Sequence, residues 1–460
     1  MIRKLLSMMS IATSLLLAAC GGTNFSVDHT TPVSEDNRVI YQLNIGAFTK
    51  EGTFKAAQQR LDTLHTLGAD IIWLMPIYPR GATKHSPYAS MNFREVNPAY
   101  GKVSDVKAFV KRAHELGMKV WLDWVPNHVA VENPWVQTHP EYFTRDAAGK
   151  MIHPHGWEDV FELNYKDEGL VGAMNDCLRF WINECDIDGF RCDYVSSPTI
   201  PVNYWQKIIA ELKSKGKTIE FLSETDISDV NNIRIDSCGF DYDYAWGFQE
   251  SLVRQFGAKG NKADSLKVLC QKFKEHSDII KNRRMVYLTN HDQNYNDGGH
   301  TLKDFYGDNR YALTVMQFTL YGMPLIYQGQ EIGDPDTLNY FTDAKVNWSK
   351  VDRKMLNTVR TLIALRHTLP AFADEVAPEW LTTGNADVLA YKKVNGSSEA
   401  IVVLNVGEQP ADIELKGINI NDFKQMLDSR SISDKPSVDK SVSERVTLDA
   451  KGYAIFVREQ

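Results

Sequence analysis

Residues 188–197 read Asp-Gly-Phe-Arg-Cys-Asp-Tyr-Val-Ser-Ser, an apolar run interrupted by Arg191 and Asp193. Side chains alternate along a strand, so these two charged groups point to the same side of it. Ile187 and Phe190 mark the end of a buried strand. There an arginine and a carboxylate are either a structural ion pair or part of an active site. Three further segments have the same character: Asp123-Trp-Val-Pro-Asn127-His128, Ser223-Glu224 within TIEFLSETD, and Asn290-His291-Asp292 closing MVYLTNHD. Acids and histidines are the groups that move protons in catalysis. Taken singly, each has an ordinary structural explanation, such as a satisfied core histidine or a helix cap. Jointly they are harder to explain, because a soluble protein does not bury so many ionisable groups unless they pair or work.

The elements that must position them follow a rhythm. VIYQLNI at 39–45 reads as a buried strand, and Thr53 to Leu67 as a helix with Phe54, Ala57, Leu61 and Leu64 on one face. Gly68 ends that helix, and ADIIWLMPI at 69–77 is the next strand. Ser104 is the expected N-cap of a helix carrying Val106, Phe109, Val110, Ala113 and Leu116, before MKVWLDWV at 118–125. Further strands are predicted at 186–193, 218–224, 239–243, 284–290 and 323–328. Eight strands alternating with helices predict an α/β fold, a parallel (β/α)8 TIM barrel. An open doubly wound sheet is the alternative, but no Gly-rich phosphate loop follows the first strand.

The four charged segments fall at the ends of strands three, four, five and seven, the side on which TIM barrels carry their sites. A short insertion after the third strand, 129–174, is rich in Pro, His and Trp and is expected to shape that face. The barrel is expected over 38–375, preceded by a polar tether at 21–37. From 376 to 460 short strands with turn residues between them predict an antiparallel β domain, with Trp380 at its margin.

Ten Trp, 19 Tyr and 20 Phe permit a ligand whose apolar faces stack, such as a sugar, and a net charge of −8 argues against nucleic acid as a partner. Cys177, Cys185, Cys192, Cys238 and Cys270 match no zinc-ligand spacing and read as buried small hydrophobes. Arg3 and Lys4 precede an apolar run, Ile11 to Ala19, too short to span a bilayer. Its end, Leu17-Ala18-Ala19-Cys20-Gly21-Gly22, resembles the lipobox of a bacterial lipoprotein signal. That resemblance implies a signal peptide over 1–20, cleavage before Cys20, lipidation of its thiol, and an exported enzyme anchored by lipid at the periplasmic or cell-surface side. An ordinary secretory signal with a coincidental cysteine is the alternative.

DWVPNH (123–128), GFRCD (189–193), LSETD (222–226) and TNHD (289–292) resemble, in order and at the same strands, the four signatures of the alpha-amylase family of retaining glycoside hydrolases. YQLNIGAF, SPYASMNFREVNPAYG (86–101) and GMPLIYQGQEIG (322–333) are also similar to family segments. The resemblance implies Asp193 as nucleophile, Glu224 as general acid/base and Asp292 as the carboxylate that stabilises the transition state. It implies that Arg191 holds Asp193 ionised, that His128 and His291 bind sugar hydroxyls, and that Tyr88 stacks beneath the sugar ring. Asp123 is expected to support Arg191 from behind. The opposite charge of Arg191 predicts a lowered pKa for Asp193, and neighbouring carboxylates together with reduced access to water a raised one for Glu224. The implied substrate is an α-glucan or malto-oligosaccharide, with α-1,4 linkages favoured.

Two positions depart from the pattern. Many amylases carry Lys-His three and four residues after the nucleophile, where this chain has Ser196 and Ser197. This leaves endo or exo action open. The chemistry is expected to need no cofactor, and a structural calcium ion is left open, with Asn127 the one ligand in place. Transglycosylation or isomerisation by the same intermediate, and non-catalytic glucan binding, are the other readings.

Overall fold

The computed structural model describes residues 31–225, 237–256, 283–295, 300–430 and 445–459, together with His29 and Leu269. Cys20, the signal peptide and most of the tether, as well as Cys270, lie outside the described residues. Eight parallel strands close a barrel: β1 Ile40–Leu43, β2 Ile71–Leu74, β3 Lys119–Trp124, β4 Gly189–Cys192, β5 Glu220–Ser223, β6 Tyr242–Tyr244, β7 Arg283–Val286 and β8 Met323–Tyr327. Closure is made by β1 pairing with β8, with Ile40 opposite Leu325. The predicted (β/α)8 barrel is therefore the observed one.

Strand alternation divides each strand between two cores. Ile40, Ile71, Trp73, Trp121, Leu222, Tyr242, Tyr244 and Met285 fill the barrel interior. Tyr41, Ile72, Leu122, Phe190 and Phe221 point out to the helices. Gly189 faces inward at the crowded base. A Cβ there would lie 2.5 Å from the Trp121 side chain and 2.6 Å from the Glu220 carbonyl, so the missing side chain is what lets the indole fill this layer. Two residues on, Arg191 points the same way, and two more bring Asp193 to the mouth.

Several boundaries differ from expectation. The helix predicted over 53–67 is two helices, Phe54–Gln58 and Leu61–Leu67. A tight turn at Arg60 separates them and carries its guanidinium over the Trp348 ring at 4.9 Å. Lys102, not Ser104, is the N-cap of Val103–Glu115, because Asp105 reaches back to accept from the Lys102 N–H at 3.0 Å. The seventh strand stops at Val286, short of the predicted 290. Asp292 instead lies in the first turn of the helix His291–Tyr295, where Asn290 Oδ1 accepts from its N–H at 2.8 Å.

Within the insertion, His128–Ala130 pairs antiparallel with Val160–Glu162. Beyond the barrel, strands Glu379–Leu381, Val388–Asn395, Ser398–Asn405, Tyr453–Glu459 and Lys424–Asp428 form one antiparallel sheet, and Ala411–Glu414 pairs with Arg445–Leu448 in another. One face of the larger sheet continues the barrel's outer core through Leu389, Tyr391, Val402 and Ile455. Trp380 lies on the first of these strands, edge-on to Tyr391. Cys177, Cys185, Cys192 and Cys238 are buried free thiols, as their spacing suggested.

Candidate active site

Arg191 is fully buried and is the hub of the barrel mouth. Its Nη1 meets Asp123 Oδ1 at 2.9 Å and Asp193 Oδ1 at 3.0 Å, its Nη2 pairs with Glu224 Oε1, and its Nε donates to the Tyr244 hydroxyl at 3.0 Å. Breaking a buried ion pair costs several kcal/mol, about 3–5, so this arginine fixes three carboxylates relative to one another. Adjacent nitrogens of a single guanidinium hold Asp193 and Glu224 close together. The backbone holds them too: the Asp193 N–H donates to Trp124 O at 2.8 Å and the Glu224 N–H to Cys192 O at 3.0 Å. Glu224 Oε2 accepts from the Tyr194 N–H at 2.8 Å.

Four acids around one cation cannot all stay ionised away from water. Burial pushes Glu224 up to about 8, against the pull of Arg191 and with the charges of Asp193 and Asp292 adding to the rise. Burial also pushes Asp193 up to about 7, with Arg191 pulling it down and Asp123 and Asp292 opposing that pull. The lowered pKa expected for Asp193 is thus corrected. Arg191 shares its charge among three carboxylates, and desolvation exceeds what remains for Asp193. The upward direction expected for Glu224 holds, with burial its first cause.

Asp123 sits behind Arg191 and also accepts from Trp73 Nε1 at 3.3 Å and the Tyr88 hydroxyl at 3.1 Å. His291 Nδ1 meets Gln42 Nε2 at 2.8 Å, while its Nε2 meets the Tyr88 hydroxyl at 2.5 Å. With Gln42 donating to Nδ1, the ring proton lies on Nε2, toward Tyr88. The Tyr88 and His291 rings stack at 5.3 Å and 16°. Asp292 Oδ2 lies 3.5 Å from His291 Nε2, on the open side of the cluster. Burial pushes both His128 and His291 down to about 4, so both rings are neutral near pH 7.

Asp123, Arg191, Asp193, Glu224, Tyr88, His291 and Asp292 therefore meet at one mouth, and His128 joins them through a hydrogen bond to the Tyr88 backbone; Cys20 lies outside the described residues. Trp73, Tyr244, Gln42 and Tyr340 were missed: they look like core residues in the sequence, yet each touches a site group. Tyr340 places its ring 6.2 Å from Tyr88 and 5.6 Å from His291. Inward alternation, which points Trp73 and Tyr244 into the barrel with their rings 5.2 and 5.5 Å from the Arg191 guanidinium, is the signal that could have found two of them.

A calcium ion takes six to eight oxygens. Asn127 is fully buried, its Nδ2 meets His128 Nδ1 at 3.0 Å, and its Oδ1 has no hydrogen-bond partner. Among the described residues no three His, Cys, Asp or Glu side chains converge to join it.

A family model described as the alpha amylase catalytic domain matches residues 28–162 and 155–385. The chain is 26% identical over 407 residues to alpha-amylase MalA of Haloarcula japonica, covering 84% of this chain and 58% of that protein. It is 28% identical over 363 residues to malto-oligosyltrehalose trehalohydrolase of Saccharolobus solfataricus, covering 72% of this chain and 62% of that one. The chain thus spans about three fifths of the length of these curated relatives. Among solved structures, an alpha-amylase from Lactobacillus plantarum superposes with a TM-score of 0.77 at 23% identity, covering 92% of this chain and 99% of that one.

Proposed function

This chain belongs to the alpha-amylase family, and on that premise we propose that it is a retaining hydrolase of α-1,4-linked malto-oligosaccharides. The observation that carries the reading is Arg191 holding Asp193 and Glu224 side by side at the barrel mouth, with Asp292 beside His291. Retention needs two carboxyl groups near each other, one to attack and one to give a proton, whereas inversion needs room for a water between them.

Asp193 attacks the anomeric carbon as Glu224 donates its proton to the departing glycosidic oxygen, so the bond to the leaving sugar breaks as the bond to Asp193 forms. Glu224, now ionised, then takes a proton from water. That water attacks the same carbon and releases Asp193 with the original configuration restored. Asp292 offers negative charge to the oxocarbenium-like transition state of each step. Neutral His128 and His291 bind sugar hydroxyls, and Tyr88, braced by His291 and Asp123, lies beneath the ring. These steps call on no cofactor. The relatives' names include amylase, trehalohydrolase and maltosyltransferase, so transfer to a sugar acceptor competes with transfer to water as the second step.

Incubation with maltoheptaose, with product lengths followed in time, tests the reading. Shorter products are expected, unchanged by EDTA and slowed at least about a thousandfold in Glu224→Gln. Products longer than the substrate would instead assign transfer. An active Glu224→Gln would end the carboxylate assignment.

The barrel is taken to span 38–375 and the β domain 376–460. The N-terminus is taken as a lipoprotein signal that anchors the exported enzyme through Cys20. A membrane-bound protein that becomes soluble on Cys20→Ala, followed by detergent phase partition, is the expected result. An anchor that survives the substitution would refute it.

A further inference from the structure

The insertion contains a turn that the catalytic steps do not use. His155 at φ 53° and Gly156 at φ 75° are both left-handed, which costs a residue with a side chain such as His155 about 1–2 kcal/mol. The two swing Trp157 outward, where it is 42% exposed. The turn is braced. The Trp157 N–H donates to Pro154 O at 2.9 Å, the Val160 N–H donates to Trp157 O at 3.2 Å, and His153 Nδ1 meets Val160 O at 2.9 Å.

Trp157 stands edge-on to His128, ring centroids 5.5 Å apart, and 4.8 Å from the His155 ring. His155 in turn meets the Tyr194 ring at 5.1 Å and 70°. Tyr194 directly follows Asp193, is itself left-handed at φ 43°, and gives its N–H to Glu224 Oε2. A row of rings, Tyr194, His155 and Trp157, therefore runs out to the exposed indole from the residue whose backbone N–H holds Glu224. An acid that protonates a leaving oxygen must face the leaving group, so side chains anchored at that acid border the departing sugar. The C–H face of a pyranose is apolar, and a fixed indole offers it contact area at little entropic cost.

We propose that Trp157 is a stacking platform for the leaving-group sugar, with His155 and Tyr194 forming the wall between it and Glu224. The proposal rests on the hydrolase reading above and deepens it. Recognition on this side is by face contact, and so tolerates different hydroxyl patterns in the acceptor sugar.

The test compares kcat/KM on maltotetraose with that on α-glucosyl fluoride, whose leaving group has no ring to stack. The maltotetraose-to-fluoride ratio is expected to fall about tenfold in Trp157→Ala, mainly through KM for the oligosaccharide, and to recover largely in Trp157→Phe. An unchanged ratio overturns the platform. A calorimetric titration of maltotetraose into Glu224→Gln and into the Glu224→Gln/Trp157→Ala double variant separates this idea from the reaction itself. Should the wild type turn over neither substrate while loss of the indole still weakens binding about tenfold, the platform stands and the hydrolase reading falls. Equal affinity in the two proteins, or no binding by either, overturns the platform.

Discussion

Arg191 carries one positive charge and touches three carboxylates, and the pH behaviour of the site follows from that imbalance. The first step needs Asp193 ionised and Glu224 protonated. With Asp193 pushed up to about 7 and Glu224 to about 8, kcat/KM should rise as the first loses its proton and fall as the second does. A narrow bell near pH 7–8 is expected, its two limbs belonging to the coupled set rather than to single residues. Asp292 raises both groups by its charge, so the residual activity of Asp292→Asn should show both limbs at lower pH. An alkaline limb that stays in place would show that Glu224 does not set it. Arg191 and Asp193 were legible in the sequence because alternation alone puts them on one side of a strand. The direction of the Asp193 shift was not, because Glu224 shares the same guanidinium only after β4 and β5 pair.

At the scale of elements, the site depends on a residue that lacks a side chain. Gly189 lies two residues below Arg191 and lets Trp121 occupy the layer beneath it. Gly189→Ala would press on the indole and on the Glu220 carbonyl of β5, the strand that ends beside Glu224. A loss of about 1–3 kcal/mol in urea unfolding is expected, with reduced turnover. Wild-type stability would mean that Trp121 has room to move. The eight barrel strands could be read from apolar runs between helical periods, though most came out shorter than predicted. Val286 illustrates the cause: its strand stops where Tyr287 and Leu288 are still buried, and burial, not pairing, made those residues look like strand. The break at Arg60 was hidden because its partner Trp348 lies far along the chain.

For the whole molecule, a buried cation ties the entry to the first barrel strand to the last barrel helix and to the segment that leads into the β domain. Arg366, on the helix Arg353–Thr368, pairs with Asp374 and donates to the carbonyls of Arg38, Phe318, Gly322 and Phe372. Arg366→Met should cost about 3–5 kcal/mol in chemical denaturation, because Asp374 and several carbonyls lose their partner together. Replacing Asp374 by Leu in the same chain should return part of that loss. No recovery would place the loss with the carbonyls alone. Nothing in the sequence marks this arginine, since its partners are mostly backbone oxygens brought together by the closed barrel.

That closure sets an order of events for a newly made chain. β1 pairs with β8, Ile40 against Leu325, so the first of the barrel strands to leave the ribosome finds one of its two neighbours last. At about 5–20 residues per second, one edge of β1 stays open for roughly 15–60 s. Throughout that interval the nascent protein exposes an apolar strand edge able to pair with other chains, and its yield in the cell will depend on whatever shields that edge until synthesis reaches the eighth strand.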